Sequence, residues 1–176
     1  GPRPSTSMDG LGALRPAFIE GGTVTAGNAS PLTDGASAAV LMSARRAGEV
    51  GITPLARVLG TAATGLSPEI MGLGPVEASK KVLQRLGMTI DDIDLIELNE
   101  AFAAQVVPVI RELAADPGRV NVHGGAIALG HPFGATGVRL VGTLVNSLRS
   151  TDGTLGLATL CVGGGQGMAM VIERLS

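Results

Sequence analysis

Three short segments carry side chains that could do acid–base or nucleophilic chemistry. Asn99 opens an Asn-Glu-Ala-Phe segment, His131 lies in the glycine-rich stretch GGAIALGHPFGATG, and Cys161 precedes a run of glycines. A thiol beside an imidazole is a common source of a nucleophile or an acid–base group near neutral pH. Backbone N–H groups of a glycine run can also form an oxyanion hole. These residue types therefore favour a thiol-based catalytic site.

The residues around His131 are almost all small. Small residues allow backbones or ligands to approach closely, so we expect a ligand or a backbone segment to lie close to this imidazole. A helix is predicted just after His131, and the positive partial charge at its N-terminus would disfavour the imidazolium. A neutral imidazole there could act as a base or as a hydrogen-bond donor. The alternative is a structural histidine in a tight turn.

Each of the other candidates also has a structural alternative. Cys161 by itself could be a small buried hydrophobe. Asn99 lies where a predicted strand passes into a predicted helix, so it could be an N-cap. We expect no metal site, because His123 has no carboxylate or cysteine at a recognisable ligand spacing. The glycines at 163–167 are followed by neither a helix nor Lys-Ser/Thr, so they indicate a hairpin rather than a phosphate loop.

Apolar periodicity predicts an α/β fold for the carboxyl-terminal two thirds of the chain. The predicted helices span residues 75–86, 100–115 and 135–149, and the predicted strands span residues 55–62, 94–98, 119–122, 156–162 and 168–172. This β-α-β-α-β-α-β-β order implies a mixed five-stranded sheet with helices on its faces. Ligands of such sheets bind beyond the carboxyl ends of the strands, where Asn99, His131 and Cys161 all fall.

The amino-terminal part of the chain is less regular. Residues 1–22 are rich in proline and glycine, and residues 23–26 form a short strand candidate. Residues 36–42 fit either a strand or a helix, and a helix is predicted over 43–50, ending at Gly51. The stretch Gly51-Ile52-Thr53-Pro54 indicates a boundary.

Composition excludes several classes of function. The net charge is −2 and the chain has no Trp or Tyr, so we expect no nucleic-acid partner. No stretch of about 18 residues is uninterruptedly apolar, so we expect no membrane span. The single cysteine and the absence of a secretory signal pattern in the first residues favour a reducing, cytoplasmic setting.

The three segments together resemble the signature blocks of the thiolases. The matching residues are Asn99-Glu100-Ala101-Phe102, Gly130-His131-Pro132 and Cys161-Val162-Gly163-Gly164-Gly165, and the stretches TVTAGNASPLTDGASA and GLGPVEASKKVL are similar too. The resemblance implies a thiolase-like fold, with residues 53–176 as the carboxyl-terminal domain. Residues 1–52 would hold the end of the loop domain and the last segment of the amino-terminal domain. The acyl-carrying cysteine of the family would lie upstream.

The resemblance also implies roles for individual residues. His131 would activate that upstream nucleophile and, with a water held by Asn99, would bind the thioester oxygen of an enolate. Cys161 would be the acid–base thiol, and the N–H of Gly163 would contribute to a second oxyanion hole. Coenzyme A (CoA) would be a substrate, with no cofactor and no metal.

Two further positions match residues that contact the pantetheine arm of CoA. These are Ser30 and Phe18, and Arg3 would lie near the nucleotide end of CoA. The chain departs from the family pattern at Pro31, where a small residue is expected, and at His123, where many members have Asn.

The resemblance implies CoA-dependent cleavage of a 3-ketoacyl-CoA, or the reverse Claisen condensation, in lipid metabolism such as β-oxidation. The complete protein is expected to be a homodimer or homotetramer, and this chain alone is expected to be inactive. One alternative is a non-catalytic CoA- or acyl-CoA-binding module or a proteolytic remnant. Another, from the residues alone, is a hydrolase with a Cys161–His131 pair.

Overall fold

A four-stranded mixed sheet organises residues 56–174 in the computed structural model, which describes residues 2–176. The strands are β1 (Ala56–Gly65), β2 (Leu95–Leu98), β3 (Leu155–Val162) and β4 (Gln166–Arg174). Their order in the sheet is β1-β4-β3-β2. The β2–β3 pair is parallel, and β4 pairs antiparallel with both β1 and β3. The two carboxyl ends of β2 and β3 therefore meet at one edge.

Helices cover both faces of this sheet. The helices are α1 (Met8–Gly12), α2 (Ala44–Val50), α3 (Gly74–Leu86), α4 (Ala103–Leu113), α5 (Ala126–Leu129) and α6 (Phe133–Thr151). One core packs α3 and α4 against the face that carries Leu157 and Val171. The other packs α6 against the face that carries Ala158 and Ile172. Because neighbouring strand residues point to opposite faces, these strands are apolar on both sides.

Local sequence explains the ends of α3. Pro75 lies in its first turn, where the missing N–H of proline costs nothing. Gly87 ends the helix with φ of 67°, a left-handed conformation that glycine adopts without strain. The predicted helix over 75–86 is therefore found with nearly the same bounds.

The predicted fifth strand at 119–122 is not found as a strand. Val120 makes only an isolated parallel bridge to Ile96, and Asn121 has φ of 49°. The backbone N–H of Asn121 donates to the Ile96 carbonyl at 2.9 Å, and beyond it the side-chain amide pairs with β2: Oδ1 accepts the N–H of Leu98 at 2.9 Å, and Nδ2 donates to its carbonyl at 2.8 Å. A side chain thus completes this edge, and the sheet has four strands.

The amino-terminal segment lies on the surface. Residues 31–43 make neither helix nor strand, so neither alternative proposed for 36–42 is found. Val40 and Leu41 are 85% and 76% exposed. The strand candidate at 23–26 is reduced to a single bridge between Thr25 and Pro16. Among the helices of residues 2–176, none combines the length and the apolar character needed to cross a membrane.

Candidate active site

Asn99 and Cys161 lie at the shared edge of β2 and β3. Leu98 is in register with Thr159, and the N–H of Asn99 donates to the Thr159 carbonyl at 3.0 Å. Cys161 is two residues further along β3, so it lies at the same end of the sheet. The N-cap alternative for Asn99 is wrong, because α4 begins after Phe102, which is its N-cap.

The structure brings Asn99 and His131 into direct contact. Asn99 Nδ2 lies 3.2 Å from His131 Nε2. Asn99 is fully buried, whereas the histidine is only partly buried. A buried amide with this geometry restricts the imidazole to one orientation. Two residues 32 positions apart thus form one polar site.

Three further contacts hold the histidine. Its backbone N–H donates to Thr33 Oγ1 at 3.2 Å, and its Nδ1 lies 2.6 Å from Thr136 Oγ1. The imidazole also packs against the ring of Phe133, with centroids 4.8 Å apart. The loop around Thr33 therefore holds the backbone of His131, and the first turns of α6 hold its imidazole.

Glycine is required next to His131 because the protein itself approaches closely there. Gly130 has φ of 111°, and a Cβ atom at this position would lie 2.6 Å from Thr33 Cγ2. A side chain at 130 would therefore push away the threonine that accepts the N–H of His131. At this position the small residue makes room for Thr33.

A buried ion pair lies next to the contact between Asn99 and His131. Glu97, on β2, is 1% exposed, and its Oε2 lies 3.4 Å from Nη1 of Arg139 on α6. Burial raises the pKa of Glu97 to about 7, with the Arg139 guanidinium opposing the shift and the Glu100 carboxylate adding to it. Burial lowers the pKa of His131, and the positive charge of Arg139 lowers it further. The imidazole is therefore neutral at pH 7.

Cys161 is buried, with 7% of the residue exposed. Burial raises the pKa of this thiol, and a backbone hydrogen bond partly offsets the increase. At neutral pH the group therefore carries its proton. A protonated thiol can act as an acid, whereas a nucleophile would need to be a thiolate.

Gly163 lies in the turn that joins β3 and β4, which confirms the predicted hairpin. The turn uses Gly164 and Gly165 in left-handed conformations, with φ of 84° and 85°. Gly163 is exposed, and no heavy atom lies within 4 Å of the place where its Cβ would be. Its backbone therefore borders open space, close in sequence to Cys161.

Ser30 and Phe18 lie beside the loop that follows Asn99. The N–H of Ser30 donates to the carbonyl of Ala101 at 3.0 Å. Phe18 makes an edge-to-face contact with Phe102, with centroids 6.0 Å apart. Both rings line an apolar cavity of about 510 Å³. Arg3 is exposed on the surface.

Comparison with known families matches nearly the whole chain. The model of the thiolase C-terminal domain matches residues 52–174, and that of the thiolase N-terminal domain matches residues 1–45. The chain belongs to the thiolase family. The resemblance inferred from the three segments is thereby confirmed.

Curated relatives of this thiolase chain have CoA-related names. It is 57% identical over 175 residues to an acetyl-CoA acetyltransferase of Escherichia coli K12. The matched region covers 99% of this chain and 44% of that protein. It is 54% identical over 177 residues to a 3-ketoacyl-CoA thiolase of Stutzerimonas stutzeri, covering 98% of the chain and 45% of that protein. The thiolase chain thus spans less than half the length of these relatives.

Solved structures confirm the thiolase-like α/β fold. The Bacillus anthracis acetyl-CoA acetyltransferase superposes with a TM-score of 0.96 at 47% identity, over 98% of this chain and 44% of that one. Human mitochondrial 3-ketoacyl-CoA thiolase in complex with CoA superposes with a TM-score of 0.91 at 41% identity, over 99% and 44% of the two chains.

Sequence reasoning on this thiolase chain missed the residues that support His131. The motifs do not point to Thr33, Thr136, Arg139 or Glu97. Glu97 did carry a signal, because it is a charged residue inside the otherwise apolar strand LIEL. Among residues 2–176, no group of three His, Cys, Asp or Glu side chains is arranged to hold a metal ion.

Proposed function

We propose that this chain supplies the histidine, asparagine and acid–base thiol of an enzyme that cleaves 3-ketoacyl-CoA with CoA, or that runs the reverse Claisen condensation. The observation that carries the proposal is the contact of Asn99 with His131 at the sheet edge that also bears Cys161. Family membership supports the same chemistry.

Each residue has defined tasks in this proposal. Neutral His131 accepts the proton of a nucleophilic thiol located in a segment upstream of this chain. His131, and a water held by Asn99, then donate hydrogen bonds to the thioester oxygen of the acetyl-CoA enolate. Cys161 supplies the proton that the enolate carbon takes up in cleavage and removes it in condensation. The N–H of Gly163 donates to the oxygen of the acyl-enzyme.

CoA is the proposed substrate, with its pantetheine arm beside Ser30 and Phe18 and its nucleotide end near Arg3. The apolar cavity next to Phe18 and Phe102 supports this placement, because the methylene and methyl groups of a pantetheine arm can pack against such a lining. The human relative solved in complex with CoA supports the same ligand class.

The finer features of the complete protein are proposed on family grounds. Residues 1–52 would complete a loop domain and an amino-terminal domain, and residues 53–176 would form the carboxyl-terminal domain. We propose a homodimer or homotetramer that acts in lipid metabolism such as β-oxidation, in the cytoplasm.

Thiolysis of acetoacetyl-CoA tests the proposed activity. The chain is joined to the amino-terminal half of a thiolase, and turnover is compared with that of His131→Ala and His123→Ala variants. We expect His131→Ala to lose about 10²- to 10⁴-fold in kcat, the usual range for an acid–base group. His123→Ala, in an exposed loop, is the matched control and retains activity. Full activity of the joined His131→Ala protein would refute the role of this residue.

The chain alone separates the proposed enzyme from the two alternatives. We expect no thiolysis from it, because acyl transfer needs the upstream thiol. Measurable affinity of the isolated chain for CoA by calorimetry would support a binding module. Ester hydrolysis abolished by alkylation of Cys161 would support a hydrolase instead.

A further inference from the structure

A chain of polar contacts runs from the sheet through Arg139 to the imidazole. The guanidinium touches Glu97 with Nη1, and its Nη2 lies 3.4 Å from Asn99 Oδ1. The Asn99 amide in turn contacts His131. Glu97 and Asn99 are buried and Arg139 is mostly buried, so these contacts are not exchanged freely with water. Arg139 is thus the only cation in this chain of contacts.

The donors and acceptors of these groups allow only one direction of hydrogen bonding, from Arg139 through Asn99 to His131. A guanidinium carries N–H donors and no acceptor, so the Asn99 atom that faces Arg139 has to be the carbonyl oxygen. The NH₂ group of Asn99 then faces His131. Since NH₂ can only donate, Nε2 of His131 must present its lone pair.

The other side of the imidazole agrees with this direction. Thr136 Oγ1 lies 2.9 Å from the Pro132 carbonyl as well as 2.6 Å from His131 Nδ1. A carbonyl only accepts, so the single hydroxyl proton of Thr136 goes to Pro132. Oγ1 then accepts the N–H of Nδ1. Both ring nitrogens therefore favour the same tautomer.

We propose that Arg139, held by Glu97, is a positioning residue that orients the Asn99 amide and thereby keeps His131 in the Nδ1–H tautomer. The inference rests on the proposed function, in which Nε2 accepts the thiol proton. The S–H bond breaks, sulfur keeps the electron pair as a thiolate, and the proton binds to Nε2. The new Nε2–H then faces the NH₂ of Asn99, donor against donor, and is free to donate a hydrogen bond to the thioester oxygen while the proton stays on Nε2.

Nitrogen-15 NMR of the histidine side chains tests this in the 176-residue chain. The chain has only two histidines, so the exposed His123 serves as an internal reference. In the wild type we expect one protonated and one unprotonated nitrogen for His131, with clearly separated shifts. In Arg139→Met the two shifts should move together, because both tautomers become populated. Arg149→Met, exposed in the last turn of the same helix, should leave them unchanged.

Arg139→Lys separates orientation from charge. A single ammonium keeps the positive charge but lacks the fork that spans Glu97 and Asn99. We expect Arg139→Lys to retain the titration midpoint of His131 and to mix its tautomers. Should Arg139→Met fail to fold, Arg139→Lys decides. The proposal would be overturned if folded Arg139→Met protein kept the wild-type nitrogen-15 shifts of His131. If Arg139→Met does not fold, the same result in Arg139→Lys would overturn it.

A kinetic measurement keeps this inference distinct from the proposed activity. In the protein joined to an amino-terminal thiolase half, Arg139→Lys should lower kcat about tenfold and leave the KM for acyl-CoA unchanged. Loss of the tautomer preference in the NMR experiment, with no thiolysis even by the wild type, would reject the function and retain the positioning role. An unchanged kcat in Arg139→Lys would reject the positioning role alone.

Discussion

The carboxylate of Glu100 occupies the space in which a side chain of Gly125 would lie. This carboxylate accepts the N–H of Ile127 at 3.1 Å and the amide of Asn121 at 3.0 Å. It thereby links the loop after β2 to the helical turn α5, which leads to His131. The absence of a side chain at 125 is what permits this link.

Gly125→Ala should therefore destabilise the protein. The new Cβ overlaps the carboxylate, which must leave two partly buried donors, so we expect a loss of about 2 to 4 kcal/mol. Urea unfolding measures it. Gly137→Ala, inside α6 with open space around its Cβ, is the control and should be neutral or stabilise by up to about 1 kcal/mol. Equal stabilities for the two variants would contradict the assignment.

Gly167→Ala should prevent normal folding of the sheet. A Cβ at 167, on β4, would overlap the backbone carbonyl of Gly74 at the start of α3, which cannot rotate away as a side chain can. We expect a loss of more than about 3 kcal/mol, or no folded protein, by circular dichroism and urea unfolding. Gly163→Ala, in the neighbouring turn with nothing near its Cβ, should stay within about 0.5 kcal/mol of the wild type.

Glu97→Gln should change how stability depends on pH. The pKa of Glu97 is about 7 in the folded protein, above its ordinary value of 4.5, because the carboxyl is buried. Between these values the folded state binds the proton more than the unfolded state does. The stabilisation that comes from this preferential proton binding by Glu97 is therefore full below pH 4.5 and is lost as the pH rises through 7.

Urea unfolding at pH 5 and pH 8 measures this effect. Relative to Glu97→Gln, the wild type should lose about 1 to 3 kcal/mol between the two pH values. Glu112→Gln, exposed on α4, should follow the wild type. If Glu97→Gln also followed the wild type, Glu97 would not be the titrating group.

Alkylation of Cys161 should be slow at pH 7. Its thiol is buried and its pKa is raised, so little thiolate is available to react. We expect iodoacetamide to react at least about tenfold faster in denaturant than in the native state, followed by mass spectrometry. A single adduct identifies the site, because the chain has one cysteine. Rapid native-state labelling at pH 7 would indicate an activated thiolate and would favour the hydrolase alternative.

The helices and the hairpin could be predicted because their signals are local. Pro75 and Gly87 lie at the ends of α3, and the glycines after Cys161 can adopt the turn that joins β3 to β4. The carboxyl ends of β2 and β3 could be placed together because parallel crossovers leave them at one edge.

The support of the site could not be predicted from local patterns. Arg139 reaches Asn99 across 40 residues of chain, and the side chain of Asn121 continues the pairing with β2 where the sequence predicts a fifth strand. Both depend on how separate elements pack. The cause of the lowered His131 pKa differs for the same reason: burial and Arg139 account for it, whereas the sequence suggested the helix N-terminus.

The exposed apolar segment at residues 36–42 has a consequence for handling the protein. Val40 and Leu41 expose apolar side chains in a segment with high β-propensity. This pattern promotes self-association into β-rich aggregates. Concentrated solutions of the isolated chain should therefore aggregate with time, as measured by light scattering, and a Val40→Lys substitution should reduce this aggregation.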